Sequence, residues 1–201
     1  HSSQPPKHSA LGELAVIIRK LENHQFPSKM TPLMHALLDR LGRSASYPVR
    51  VVLCNLKLLH PVIVAAMKRI PPAASMIRTT TAVTQAQGSP APNVLPQKAS
   101  VIVNFRIMPG MTVSDVEAHI KKIVGKKVQV ELIKGENPSH ISPTDSRAFK
   151  ALEDICRGMN AKNIVAPYLV MGGTDARNYE DICENVYRYS PFLVNTSLLL
   201  T

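Results

Sequence analysis

The stretch Ala91-Pro92-Asn93-Val94-Leu95-Pro96-Gln97-Lys98-Ala99-Ser100-Val101-Ile102-Val103-Asn104-Phe105-Arg106-Ile107-Met108-Pro109-Gly110 decides the fold. It opens as a turn-rich loop, becomes a strand and stops at Pro-Gly. Within the strand, Val101, Val103, Phe105 and Ile107 share one side, and Ser100, Ile102, Asn104 and Arg106 share the other. A period of two sets one packed face against something and leaves Asn104 and Arg106 off it. Arg106 has two readings: an edge-strand charge in solvent, or a charge on an apolar strand that needs a partner or ligand.

Upstream, Ser9 predicts an N-cap and residues 9–22 a helix, with Leu11, Leu14, Ala15, Ile18 and Leu21 as its apolar stripe. Residues 27–70 read as shorter helical pieces. Met34, Leu37, Leu38 and Leu41 form one stripe, with Gly42 expected as a C-terminal cap. Residues 51–59 suit helix or buried strand equally, and Pro61 suggests a helix start. Residues 77–86 alternate and are β-branched, so a strand is predicted there and another over 98–108. Thr112 caps a helix that Gly125 ends, and 128–133 reads as a half-buried strand. Helix, strand, strand, helix, strand is a βαββαβ unit lacking its first strand. Such a unit forms a two-layer α+β lid, an antiparallel sheet with both helices on one face and the other face open to a partner.

After Asn137-Pro138-Ser139 the text becomes α/β. A helix is expected over 142–159 and strands over 163–170 and 186–189. Between these strands lies the glycine loop Gly172-Gly173-Thr174-Asp175-Ala176-Arg177. The boundary is placed near residue 140, giving domains 1–140 (helical insertion about 27–70) and 141–201.

The chain has 201 residues, 45% hydrophobic and 4% aromatic, with no Trp and a net charge of +10. So few aromatics argue against nucleic-acid stacking or a carbohydrate platform. The basic residues are dispersed, which reads as a solvated surface, and no nucleic-acid partner is expected. No apolar run reaches eighteen residues, so nothing is expected to span a membrane and no membrane partner is expected. Cys54, Cys156 and Cys183 lack CxxC spacing; buried thiols are expected, with one pairing left open. The opening His1-Ser2-Ser3-Gln4-Pro5-Pro6 reads as the middle of a loop, so a fragment is expected.

Four features could carry chemistry: His1, Asn93, Arg106 and the glycine loop. Each has an ordinary alternative: a solvated loop His, an Asx-turn, a surface Arg, and a strand-to-helix turn with Asp175 as N-cap. If the loop is a site, its amides could hold an anion and Arg177 could pair with a carboxylate. No HExxH, GxSxG or GxxxxGK[ST] occurs.

The segment His1-Ser2-Ser3-Gln4-Pro5-Pro6 resembles the GHSSxPP segment of the carboxypeptidase S and aminoacylase branch of the dinuclear-zinc exopeptidases. Asn93-Val94-Leu95-Pro96 with Phe105-Arg106-Ile107-Met108-Pro109-Gly110 resembles its NVLP…FRxxPG signature, and residues 172–177 its GGTDxR loop. The three occur in the family's order. The resemblance implies a lid that forms a homodimer, inserted in a catalytic α/β domain with two zinc ions. It further implies hydrolysis of an amide bond beside a free carboxylate, in a peptide or N-acyl amino acid. By this resemblance His1 would act in trans as an oxyanion stabiliser. Asn93, Arg106, Gly173, Thr174 and Arg177 would hold the substrate.

The sequence departs from the family at the metal. The HxD motif, bridging Asp and Glu-Glu pair have no counterpart, no His follows Ser190-Pro191, and Asn178 stands where relatives often carry His. No metal ligand is assigned, His8, His119 and His140 included, and the isolated chain is expected to be inactive. The alternative is a catalytically inactive dimerisation module that binds carboxylates. The compartment is left open.

Overall fold

Strand β1 (Thr80–Gln87) pairs antiparallel with β2 (Ser100–Arg106), with Thr80 opposite Arg106 and Gln87 opposite Ser100. The computed structural model describes residues 3–170 and 172–189; His1 lies outside them. Burial along β2 alternates residue by residue, with Val101, Val103 and Phe105 on the covered side. The register slips between Val83 and Gln85, and the Thr84 hydroxyl donates to the Ile102 carbonyl at 3.2 Å. This bulge takes up one extra residue, so the β1 positions opposite the covered residues of β2 pass from odd (Thr81, Val83) to even (Ala86).

Helix α1 (Ala10–Asn23) packs on both strands of the hairpin and against α6 (Val113–Val124). Leu14, Leu21, Phe26 and Val116 are buried between the layers. Phe26 meets Phe105 edge-on, centroids 6.1 Å apart, and lies against the His119 ring at 4.0 Å. Each such buried apolar side chain contributes about 1.5–3 kcal/mol, which outweighs any propensity term in these short helices. Leu14, Ile18 and Leu21 of the expected stripe of α1 are covered, whereas Leu11 and Ala15 are exposed and Ile17 joins the covered side instead.

The intervening residues are helical: α2 (Pro32–Arg43), α3 (Tyr47–Cys54), α4 (Leu56–Arg69) and the short α5 (Pro71–Ser75). Residues 51–59 are therefore helix, broken at Asn55. Two expectations change here. Gly42 does not cap α2 but lies buried inside it, where a Cβ would stand 2.7 Å from the Leu53 Cβ. It is there for the close approach of α3. Pro61 sits inside α4 rather than at its start, because the Leu59 N–H already bonds to the Asn55 carbonyl at 2.9 Å.

The C-terminal part holds α7 (Arg147–Met159), capped by Ser146, and a short 3-10 turn (Asp175–Tyr179). Residues 128–133, 163–170 and 186–189 were expected as strands. All three run without ladder pairing, so the described sheet has two strands. Alternation and β-branching mark them as extended, but a strand needs a partner edge, which no local pattern specifies. The mixed helix–strand class and the antiparallel pair agree with the sequence reading. The cysteines do not: Cys54 and Cys183 are exposed, Cys156 is half-buried, and all are free thiols. Small apolar character alone did not place them in the core.

At the start of α6, Thr112 and Asp115 form a reciprocal capping box. The Thr112 amide and hydroxyl each donate to Asp115 at 2.8 Å, which holds that carboxyl below its ordinary value of 3.8. Thr112→Ala should cost about 1 kcal/mol in urea unfolding. Asp115 stabilises the fold fully above pH 3.8 and less as pH falls through its lowered folded value, because the unfolded chain then binds the extra proton. Asp115→Asn should flatten that acid-side slope of stability against pH; an unchanged slope would contradict the assignment.

Candidate functional site

The open edge of β2, the inner side of α6, the extended residues 128–134 and the C-terminal part enclose one cavity of about 1490 Å³. It exceeds the roughly 300–1,000 Å³ of ordinary ligand pockets and forms a trough. Arg106 lines it from the end of β2, and Gly173, Thr174 and Arg177 line it from the glycine loop. Tertiary structure thus brings four of the six sequence-selected residues to one cavity. Asn93 does not join them: it is exposed in the turn between β1 and β2. His1 is outside the described residues.

The local sequence explains the wall that carries Arg177. Gly135 lets the chain pass α6 closely, since a Cβ there would meet a Val113 methyl at 2.9 Å. The next residues then fasten to both sides. The Asn137 side-chain oxygen accepts the Val113 N–H at 3.0 Å, an amide left unpaired at a helix N-terminus. Arg177 ion-pairs with Glu136 and donates to the Asn137 carbonyl at 2.5 Å. The carboxylate that Arg177 holds here is the chain's own. Glu136 and Asn137 were missed as site residues because their partners lie far along the chain.

The glycine loop departs from its reading as a strand-to-helix turn capped by Asp175. Asp175 is the first residue of the 3-10 turn, not its cap, and Thr174 at the cap position makes no capping bond. Instead the Thr174 hydroxyl accepts Arg188 Nε at 2.7 Å. Arg188 also approaches Glu180 at 3.9 Å, and His140 lies 3.8 Å from the other Glu180 oxygen. His140 Nε2 contacts the Glu184 carbonyl at 3.1 Å and His119 Nε2 the His24 carbonyl at 3.1 Å, so both rings have structural partners. On the cavity wall, Tyr189 is pushed above its usual range, chiefly by its hydrogen bond with Cys156 and further by burial.

Arg40 fixes a second wall. Its Nη1 donates to Glu153 at 3.1 Å and to the Val165 carbonyl at 2.9 Å, and its guanidinium covers the Phe149 ring. Glu153 also pairs with Arg157 at 2.6 Å. One side chain thereby ties α2 to α7 and to residue 165, and both Phe149 and Val165 line the cavity. Sequence reasoning passed over Arg40 as one more surface cation. Among the described residues no three His, Cys, Asp or Glu side chains come together as a metal site. Their donor groups therefore do not fit a metal centre.

A model of the peptidase dimerisation domain of M20 type matches residues 1–130. The chain is 33% identical over 200 residues to "Probable carboxypeptidase S-like 2" of Dictyostelium discoideum, covering 98% of this chain and 38% of that protein. It is 33% identical over 201 residues to the mouse "N-fatty-acyl-amino acid synthase/hydrolase PM20D1", covering 97% and 40%. Identity to the human protein of that name is 34% over 199 residues, covering 96% and 40%. The chain thus spans about 40% of the length of these relatives. No solved structure matches it.

Arg40→Met keeps the apolar stem and removes two polar contacts and the cation–π contact, which should cost about 1–3 kcal/mol. Hydrogen exchange should then rise in α7 and leave α1, β1, β2 and α6 protected. Equal deprotection everywhere would show that Arg40 is not a local tie.

Proposed function

The chain belongs to the M20 peptidase family, whose members are hydrolases, and from this we propose that it is the lid and adjoining catalytic-domain segment of an amidohydrolase cleaving an amide bond beside a free carboxylate. The substrate would be a peptide or an N-acyl amino acid, the classes named for its relatives. Residues 1–140 are the dimerisation lid and residues from 141 belong to the catalytic domain. Two copies pair through the lid.

One observation carries the substrate assignment. Arg177 holds a carboxylate, that of Glu136, at the wall of the cavity that Arg106 also lines. A guanidinium suits this task because its donors form a rigid fork matching two carboxylate oxygens. Glu136 is more than half exposed, so an incoming substrate carboxylate could replace it without uncovering a buried charge. Arg106 and Arg177 then fix the carboxylate end, while Thr174 and the Gly173 backbone orient the neighbouring amide. Asn93 would reach substrate only across the dimer, from the turn that the lid presents to its partner. His1, in the same arrangement, would donate to the oxygen that gains charge as the amide carbonyl is attacked.

The metal implied by the family, zinc on the strength of the motifs, supplies the activated water and polarises the carbonyl when bound. The described residues do not form its donor set. Their work is to bind, orient and neutralise the substrate's negative end.

In the complete protein, Arg177→Lys should raise KM for an N-acyl amino acid about 10- to 100-fold, the worth of a charge-assisted pair. Turnover of the matching amide, which lacks the carboxylate, should change little. Equal losses on both substrates would sink the clamp. Glu136→Gln should lower KM for the acid by releasing Arg177. His1→Ala should cut kcat while sedimentation still reports a dimer; intact turnover would remove the role in trans.

A further inference from the structure

Helix α4 is apolar on both sides. Leu56, Leu59, Ile63 and Met67 turn inward, at helical spacing. Leu58, Val62 and Ala65 recur on the opposite side, where Leu58 is 79% and Val62 61% exposed. A helix apolar all round ordinarily has a neighbour on each face. Next to it, α3 has no buried residue, and its Tyr47 is 80% exposed. The two helices meet at Asn55 with a bend of 109°, so together they form a broad surface and not a rod.

The charges carried by α3 and α4 are all of one sign, and the nearest carboxylate, Asp39 of α2 beside Lys57 and Leu58, is paired with Arg43. Arg50 lies on α3, and Lys57, Lys68 and Arg69 lie on α4, all exposed. No Asp or Glu occurs anywhere between Asp39 and Asp115. On α4 the helical period sets Lys57 and Lys68 along one flank of the exposed apolar stripe, with Arg69 at its end. We propose that the outer face of α3 and α4 docks on an anionic lipid surface, with Leu58, Val62 and Tyr47 entering the headgroup boundary and the flanking cations meeting lipid phosphates.

The charge pattern selects this occupant. A second copy seated on the face would set its cations against the same cations, which opposes association. Nucleic acid would meet the charges but leave the Leu58–Val62 stripe uncovered. An anionic bilayer satisfies both parts, as amphipathic surface helices do. The lack of a long apolar run concerns crossing a membrane. No single described helix is long and apolar enough for that, and lying on the surface requires none.

The test is co-sedimentation of the complete protein with vesicles of phosphatidylcholine alone and with one-third phosphatidylserine. Binding should favour the anionic vesicles at least tenfold and weaken as salt is raised. The double variant Leu58→Asp/Val62→Asp should abolish it. Because both side chains are exposed, its circular dichroism and Tm should be unchanged. Lys68→Glu alone, which leaves the apolar stripe intact, should lower binding about fivefold. No binding to anionic vesicles at low salt, or binding that both variants leave unchanged, overturns the proposal. So does self-association in sedimentation velocity that the double variant removes while vesicle binding persists.

Discussion

Thr79 keeps a hydroxyl where no water reaches, and the ends of the hairpin depend on how it is satisfied. Its oxygen accepts the Met108 N–H at 3.1 Å and donates to the Met111 sulfur at 3.2 Å. Thr79 and Ile77 are both fully buried. One hydroxyl therefore joins the residue before β1 to two residues after β2. Beside it, the Ile77 carbonyl accepts the Lys29 N–H at 2.6 Å, which ties in the segment between α1 and α2. An unpaired hydroxyl at that depth would cost about 1–3 kcal/mol. The whole helical insertion leaves and returns at this junction, so its ends are held together whatever its length.

From that junction the order of the structure spreads toward the cavity. The end of β2 delivers Arg106 to the trough, and Gly110, with φ of 90°, turns the chain into the capping box of α6. A left-handed backbone there suits glycine at no steric cost. The first free amide of α6 is taken by Asn137, whose neighbour Glu136 holds Arg177. Helix α6 and the glycine loop are thus two ends of one polar chain. That continuity ties the wall carrying Arg177 to the first turn of α6.

The strand that opened the sequence reading could be recognised because a period of two leaves a mark in five residues. Its burial follows that mark residue by residue. The caps Ser9 and Thr112 were equally readable, since a cap is a local bond between residues three apart. The failures share the opposite property. Gly42 looked like a stop because a glycine near a helix end usually is one; its real neighbour, Leu53, belongs to another helix. Residues 128–133 look like a strand and stay unpaired, because pairing depends on an edge elsewhere.

The site divides along the same line. Sequence by itself determined the residue types, their order and the family, and with them Arg106, Gly173, Thr174 and Arg177 as residues to watch. Those are properties of short stretches, where spacing and chemistry are visible together. Only the tertiary structure decided that these four line one cavity, that Asn93 stands apart from them, and that Arg177 already grips Glu136. It also decided that α4 shows a second apolar face to its surroundings. Each of these depends on which distant segments come together, and on which do not. A contact across forty or more residues leaves no periodicity in the chain from which it could be read.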